Sequence, residues 1–253
     1  MQLSSITIAK NEERNIRRCI SSVKSFADEI IVLVDSESED KTLQIVKEEN
    51  VKYEVVDWEG FSKTKQRGVS IAENDWIFWI DADEVVSDSL QKEILEWKYT
   101  EPGFEVYSFP RKANFLGRWI EHSGWYPGRV TRLFDKNKIS FNENSVHEGL
   151  NISGDVGKFE NDFLHFTDPN IFHYFQKFNK YTSLAAEELN AKNKKFKLSD
   201  ILIRPLFLFF KMFILKLGFR DGIQGFMLAV FSSLYVFSKY AKLWEIQKKS
   251  EEQ

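Results

Sequence analysis

Cysteine is nearly absent from this 253-residue chain: Cys19 stands alone. An internal disulfide is therefore excluded, and a reducing compartment suits the composition. Histidine is sparse too, with four residues at 122, 147, 165 and 173, so no zinc-ligand spacing is available. The opening MQLSSITIAKNEE lacks a basic stretch followed by an apolar one, which argues against a secretory leader. An excess of one charge is also missing: a net charge of −3 gives nucleic acid no electrostatic trap. Internal repeats and low-complexity tracts are absent as well.

What the chain does have is ample apolar material, 43% hydrophobic and 15% aromatic, with 23 phenylalanines that cluster late. That is enough to bury the core of one large domain, or of one domain with a helical appendage. LSSITIA, EIIVLVD, KYEVVDW and WIFWID read as strands. NEERNIRRCISSVKSF, DKTLQIVKEEN and SKTKQRGVSIAEN lie between them with apolar residues at helical spacing, such as Ile16, Ile20 and Val23. Strand–helix alternation predicts an α/β fold with a mostly parallel sheet. The unbroken apolar run WIFWI predicts a central strand covered on both faces. The turn after the first strand, AKNEERN, has no glycine, which disfavours a dinucleotide site of the Rossmann type. From about Phe104 to Phe166 short strands and loops follow, and from Pro169 onward helix signals dominate.

Trp76–Glu84, WIFWIDADE, drives a buried strand into three carboxylates within four positions. Like charges this close repel, so something positive is expected among them. Asp35 and Asp57 also fall at predicted strand ends, where open α/β sheets collect ligands. Were the segment extended, Asp81 and Asp83 would point the same way and suit a hard divalent cation, Mg²⁺ or Mn²⁺. The competing account is helix capping, by Asp83 or, better, by Ser87.

ITIAKNEERNIRRCISSV, EIIVLVDSESEDKT and WIFWIDADE, in that order, resemble the opening of family-2 glycosyltransferases, which have the GT-A fold. FLGRWIEHSGWYPGRVTRLFDK, SVHE and DGIQGFMLAVFSSLYVFSKYAKLWE resemble the lipopolysaccharide-core glucosyltransferase subgroup, so the likeness covers nearly the whole chain. The resemblance implies a GT-A catalytic domain over 1–166, with a nucleotide-sugar half (1–100) and an acceptor half (101–166). A helical extension follows over 167–253. It implies that Glu12 and Asp35 hold the nucleotide, and that Asp83 with Asp81 binds the metal between the donor phosphates. It implies inversion at the sugar. Glu148 is the candidate base and His147 its rival. Glu37 stands where the family usually has a turn glycine, and Asp40 suits a helix cap better than a ligand. Arg129 and Arg132 are spaced to face opposite sides of a strand, so at most one is expected at phosphate. Lys63, Lys65 and Arg67 read as a solvated helix face or a reach toward the donor, and Trp125 in HSGWYPG as part of an acceptor loop.

KLSDILIRPLFLFFKMFILKLGFRD places Lys197, Arg204 and Lys211 seven residues apart beside many phenylalanines, with Pro205 expected to kink the helix. Such a basic, aromatic stretch reads as an interfacial membrane helix, with packing on a second copy as the alternative. The uncharged run from Gly222 to Ser238 is marginal for spanning, which takes roughly 17–25 residues. The expected enzyme works on the cytoplasmic face of the inner membrane with a nucleotide-sugar donor and a saccharide or glycolipid acceptor. Two other classes compete: a nucleotidyltransferase, against which the glycine-free turn argues, and a non-catalytic membrane adaptor, against which Asp81 and Asp83 argue.

Overall fold

β1 (Leu3–Ala9) and β2 (Glu29–Asp35) occupy the stretches their sequence predicts. The computed structural model describes residues 1–141, 149–168 and 170–251. Between and after these strands run α1 (Ile16–Val23), α2 (Thr42–Glu48), β3 (Lys52–Val56), α3 (Phe61–Ile71), β4 (Trp76–Trp79), β5 (Glu84–Val86) and α4 (Asp88–Lys98). β6 (Val106–Phe109), β7 (Arg111–Phe115), β8 (Arg118–Trp119), β9 (Val130–Asp135), β10 (Gly157–Lys158) and β11 (Phe163–Asp168) follow, then α5 (Ile171–Ala191), α6 (Leu198–Phe210) and α7 (Gly222–Glu251). The chain divides into two compact units, Met1–Arg111 with Gly128–His165, and Lys112–Pro127 with Phe166–Gln253.

The first unit is built on a seven-stranded sheet in the order β10-β6-β9-β4-β1-β2-β3. β4, β1, β2 and β3 are parallel, and β9 runs antiparallel to both β4 and β6. β4 shows why its sequence is apolar throughout. Trp76 and Phe78 enter a cluster with Val23 of α1 and Leu90, Ile94 and Trp97 of α4. Ile77 and Trp79 point into another, with Val69 of α3, Ile6, Ile31 and Phe134. Successive side chains alternate faces, and helices cover both. At the same step the chain turns into α4, and Ser87 caps it: Leu90 N–H donates to the Ser87 hydroxyl.

In the second unit β7 and β8 form a short hairpin, and α5, α6 and α7 carry most of the mass. Residues 112–127, which the sequence reading kept in the first domain, group here instead. The reason is burial: Phe115 and Ile120 share a cluster with Met212, Leu228 and Ala229. The buried Asp221 carboxylate adds to this by accepting from the backbone N–H groups of Glu121 and His122, and its Oδ1 sits 3.0 Å from His122 Nδ1. Helix α6 runs through Pro205 and then widens into a π-helical turn, Lys211–Leu215. Leu217 takes a left-handed conformation (φ 55°), and a 3-10 turn, Gly218–Asp221, leads into α7. Gly225 is required there, because a Cβ would lie 2.0 Å from the Gly218 carbonyl oxygen. Among the described residues no helix is long and apolar enough to cross a membrane.

Candidate active site at the strand ends

The parallel strands of the first unit end along one edge of the sheet, and each end carries charge. After β1, Lys10 reaches across to β2: its Nζ lies 2.9 Å from Asp35 Oδ2 and 2.6 Å from Glu37 Oε2. Asp35 is buried, and its Oδ1 accepts the Glu37 N–H at 2.9 Å. This turn forms without a glycine because Asp35 supplies the turn hydrogen bond and Glu37 keeps a negative φ. Asn11, in the β1 loop, takes the left-handed conformation instead (φ 55°). Its carboxamide oxygen accepts the Glu39 N–H at 2.8 Å. Glu12 is half-buried; its N–H donates to Thr42 Oγ1 and its carboxylate accepts from Asn15 Nδ2. Asp40 ties the two loops together, accepting from Glu13 N–H, Thr42 N–H and the Thr42 hydroxyl. Burial would raise its carboxyl pKa, but these donors bring it below the usual range. At the end of β3, Asp57 accepts from the Ser36 hydroxyl at 2.7 Å.

The crowded acids after β4 find their countercharge inside the protein. Asp81 Oδ2 lies 2.6 Å from an Arg132 guanidinium nitrogen, which is also 2.7 Å from Glu84 Oε1. Lys65 Nζ is 3.4 Å from Asp81 Oδ1, and Arg111 is 3.4 Å from Glu84. Glu84, Arg132 and Lys65 are all buried. Both cations also meet an aromatic face: Lys65 Nζ and Arg132 Cζ each lie 3.6 Å from the Trp79 ring centre. Burial alone would raise the Asp81 pKa, yet Arg132, Lys65 and His165 hold it well below the ordinary carboxylate range. Burial would likewise lower that of Arg132, and Asp81 and Glu84 reverse it.

Three expectations change accordingly. A bound cation is not needed to relieve the repulsion, since Arg132, Lys65 and Arg111 do so. Residues 81–83 form a turn rather than an extended segment, closed by Glu84 N–H on the Asp81 carbonyl. Lys65 is not a solvated helix residue. Arg132 is turned inward onto Asp81 and Glu84, while Arg129 donates to the backbone carbonyls of Ser108 and Phe159. Trp125 packs in the second unit, its ring edge-on to Phe115. Glu148 and His147 lie outside the described residues.

Asp83 has a partner that sequence reading missed. His165 Nε2 lies 3.2 Å from Asp83 Oδ2, because β5 and β11 pair with His165 opposite Glu84. Both side chains stay partly open to solvent. Nothing local in the sequence signals this pair, which is 82 positions apart. Among the described residues no three acidic, histidine or cysteine side chains converge as a metal cage.

The model of the family described as "Glycosyl transferase family 2" matches residues 4–159. An uncharacterized glycosyltransferase of Rickettsia typhi is 31% identical over 98% of this chain and 89% of its own. The lipopolysaccharide core biosynthesis glycosyltransferase LpsC of Rhizobium meliloti is 26% identical over 97% of this chain and 93% of its own. Among solved structures, the chain is similar to S. aureus TarS 1–349 in complex with UDP, at 15% identity and TM-score 0.45, over 98% of this chain and 92% of that one. The chain belongs to glycosyl transferase family 2, and its helix-flanked, mostly parallel sheet with a C-terminal helical part is of the GT-A type.

Proposed function

We propose that this enzyme moves a hexose, with inversion, from a nucleotide-diphosphate sugar to a saccharide or lipid-linked acceptor in the synthesis of lipopolysaccharide core or another cell-surface glycan. The observation that carries the reading is Asp35. It is buried at a strand end, with Oδ1 accepting the Glu37 N–H and Oδ2 lying 2.9 Å from Lys10 Nζ. A buried carboxylate on the strand-end edge where open α/β sheets collect ligands is placed to accept an N–H or O–H of a nucleotide. The end-to-end similarity to LpsC supports the acceptor class. The same reading has the enzyme work at the cytoplasmic face of the inner membrane.

The donor set fits a divalent cation held largely by phosphate and water, which takes one or two protein ligands, rather than an all-protein cage. Asp83, with His165 beside it, would hold Mg²⁺ or Mn²⁺, since Asp81 is committed to Arg132 and Lys65. When bound, such an ion neutralises charge on the departing diphosphate. Lys65 and Arg132 keep Asp81 ionised and fix the turn that presents Asp83. The acceptor hydroxyl gives its proton to a carboxylate as its oxygen attacks opposite the leaving group; Glu148, with His147 as neighbour, is the base the sequence offers.

Asp35→Ala is expected to weaken binding of free nucleoside diphosphate about tenfold, the size of one hydrogen bond to a charged group. Calorimetric titration reads it, alongside a panel of sugar nucleotides with and without Mg²⁺. Loss for one sugar nucleotide with unchanged affinity for the free diphosphate would move Asp35 from the nucleotide to a sugar pocket.

A further inference from the structure

Helix α6 presents an apolar face to solvent. Leu198, Leu202, Leu206 and Phe210 recur every four residues along it, with Ile203, Phe207 and Ile214 beside them. Their exposures run from 41% at Ile214 to 74% at Leu206. One edge of the same stretch is anchored, with Pro205 and Met212 buried. Contiguous apolar surface of this kind marks an interaction site.

The charges around it have one sign. Lys195, Lys197, Lys211, Lys216 and Arg220 are exposed. Asp200 is the sole acid from 192 to 220, and it is buried and bonded to Arg204 at 2.6 Å. Arg204, expected from sequence to belong to the basic stripe, pairs with Asp200 while its side chain stays 54% exposed; it also lies 5.4 Å from the Tyr240 ring centre. Among the described residues the side chains of Lys197, Lys211 and Lys216 pair with no acid, and they form the basic flank.

We propose that α6 and the π-helical turn after it form the surface by which this protein docks on an anionic lipid bilayer. The Leu, Ile and Phe row enters the acyl boundary, and the flanking lysines meet the headgroups. At 13 residues α6 is far short of the roughly 20 needed to span, so it lies on the bilayer rather than across it. An anionic bilayer offers both an apolar layer and negative charge. A second copy of the same face offers only the first, and it would set lysine against lysine with no exposed acid in the stretch to pair them. This docking is independent of the transfer chemistry, since it is measured without donor or acceptor.

Cosedimentation of the full chain with vesicles of phosphatidylcholine plus phosphatidylglycerol, and of phosphatidylcholine alone, tests it. Preferential binding to the anionic vesicles, weakened by salt, is expected. Leu206→Ser with Phe207→Ser should abolish binding. Lys211→Gln with Lys216→Gln should weaken it about fivefold per residue while leaving the apolar face intact. Equal binding to both vesicle types, or binding that survives both double substitutions, would overturn the proposal. So would absence of vesicle binding together with a dimer, seen by light scattering, that the serine substitutions split.

Discussion

The phenylalanines of the central cluster in the first unit and those along the helices of the second meet opposite fates, although Phe115 of the second unit is buried. In the first, Phe26, Phe78, Phe109, Phe134 and Phe163 are fully buried, and Phe78 packs against Phe26, Phe109 and Phe163 at ring distances of 5.1 to 5.8 Å. In the second, Phe172, Phe207, Phe210 and Phe219 stand open to solvent. Charge reverses as well. The first unit crowds both signs at its strand ends, and buried Arg132 bridges Asp81 and Glu84. Along α6 the exposed charge is positive only. A sheet covered on two sides has no face left for its apolar residues but the interior, whereas a helix bordering solvent can leave one side unpartnered. Composition alone, rich in phenylalanine at both ends of this contrast, says nothing about which fate a ring meets.

Substitutions of matched type sharpen the contrast. Phe78→Ala should cost about 3–5 kcal/mol in denaturant unfolding of the whole chain, the usual range for a large buried ring. A value below ~1 kcal/mol would mean that the central cluster is loosely packed.

Arg132→Leu should come next, at about 3 kcal/mol, because it strands Asp81 and buried Glu84 without their main countercharge. The pH dependence has a defined sign. Asp81 has a native pKa below its unfolded one, so its stabilisation is complete above the ordinary carboxyl range near pH 4 and is lost as pH falls through that range toward the native value. The stability gap between the native protein and Arg132→Leu should therefore narrow on acidification. A gap constant from pH 7 to pH 3 would show that the ion pair contributes nothing and that only packing was lost.

The smallest effect belongs to the exposed face. Phe207→Ser should change stability by no more than about 0.5 kcal/mol, as solvent-facing substitutions do. A loss approaching that of Phe78→Ala would break the comparison, since it would mean that α6 is covered within the folded chain.

The strands β1 and β2 were legible from their apolar runs, and β4 as a central strand from WIFWI, because periodicity and length are local properties of the chain. KYEVVDW and WIFWID run past β3 and β4 because the ladders stop sooner: the last pairings are Asp35 with Val56 and Ile6 with Trp79. Asp35, Asp57 and the acids after β4 were legible as strand-end residues, since the pattern predicts those ends. Their partners were not. Arg132 reaches Asp81 across 51 positions and His165 reaches Asp83 across 82, through strand pairings that no window of sequence contains. Lys65 looked like surface because helical spacing does not reveal Trp79 waiting at 3.6 Å. By itself, then, the sequence determined the α/β order, the glycine-free turn after β1, the row of carboxylates and the basic, aromatic tail. Only the tertiary structure decided which cations neutralise those carboxylates, that residues 112–127 join the C-terminal helices, and which side of α6 is left bare. The reason is the same throughout: apolar period and charge are carried along the chain, while pairing and burial depend on which distant segment arrives beside it.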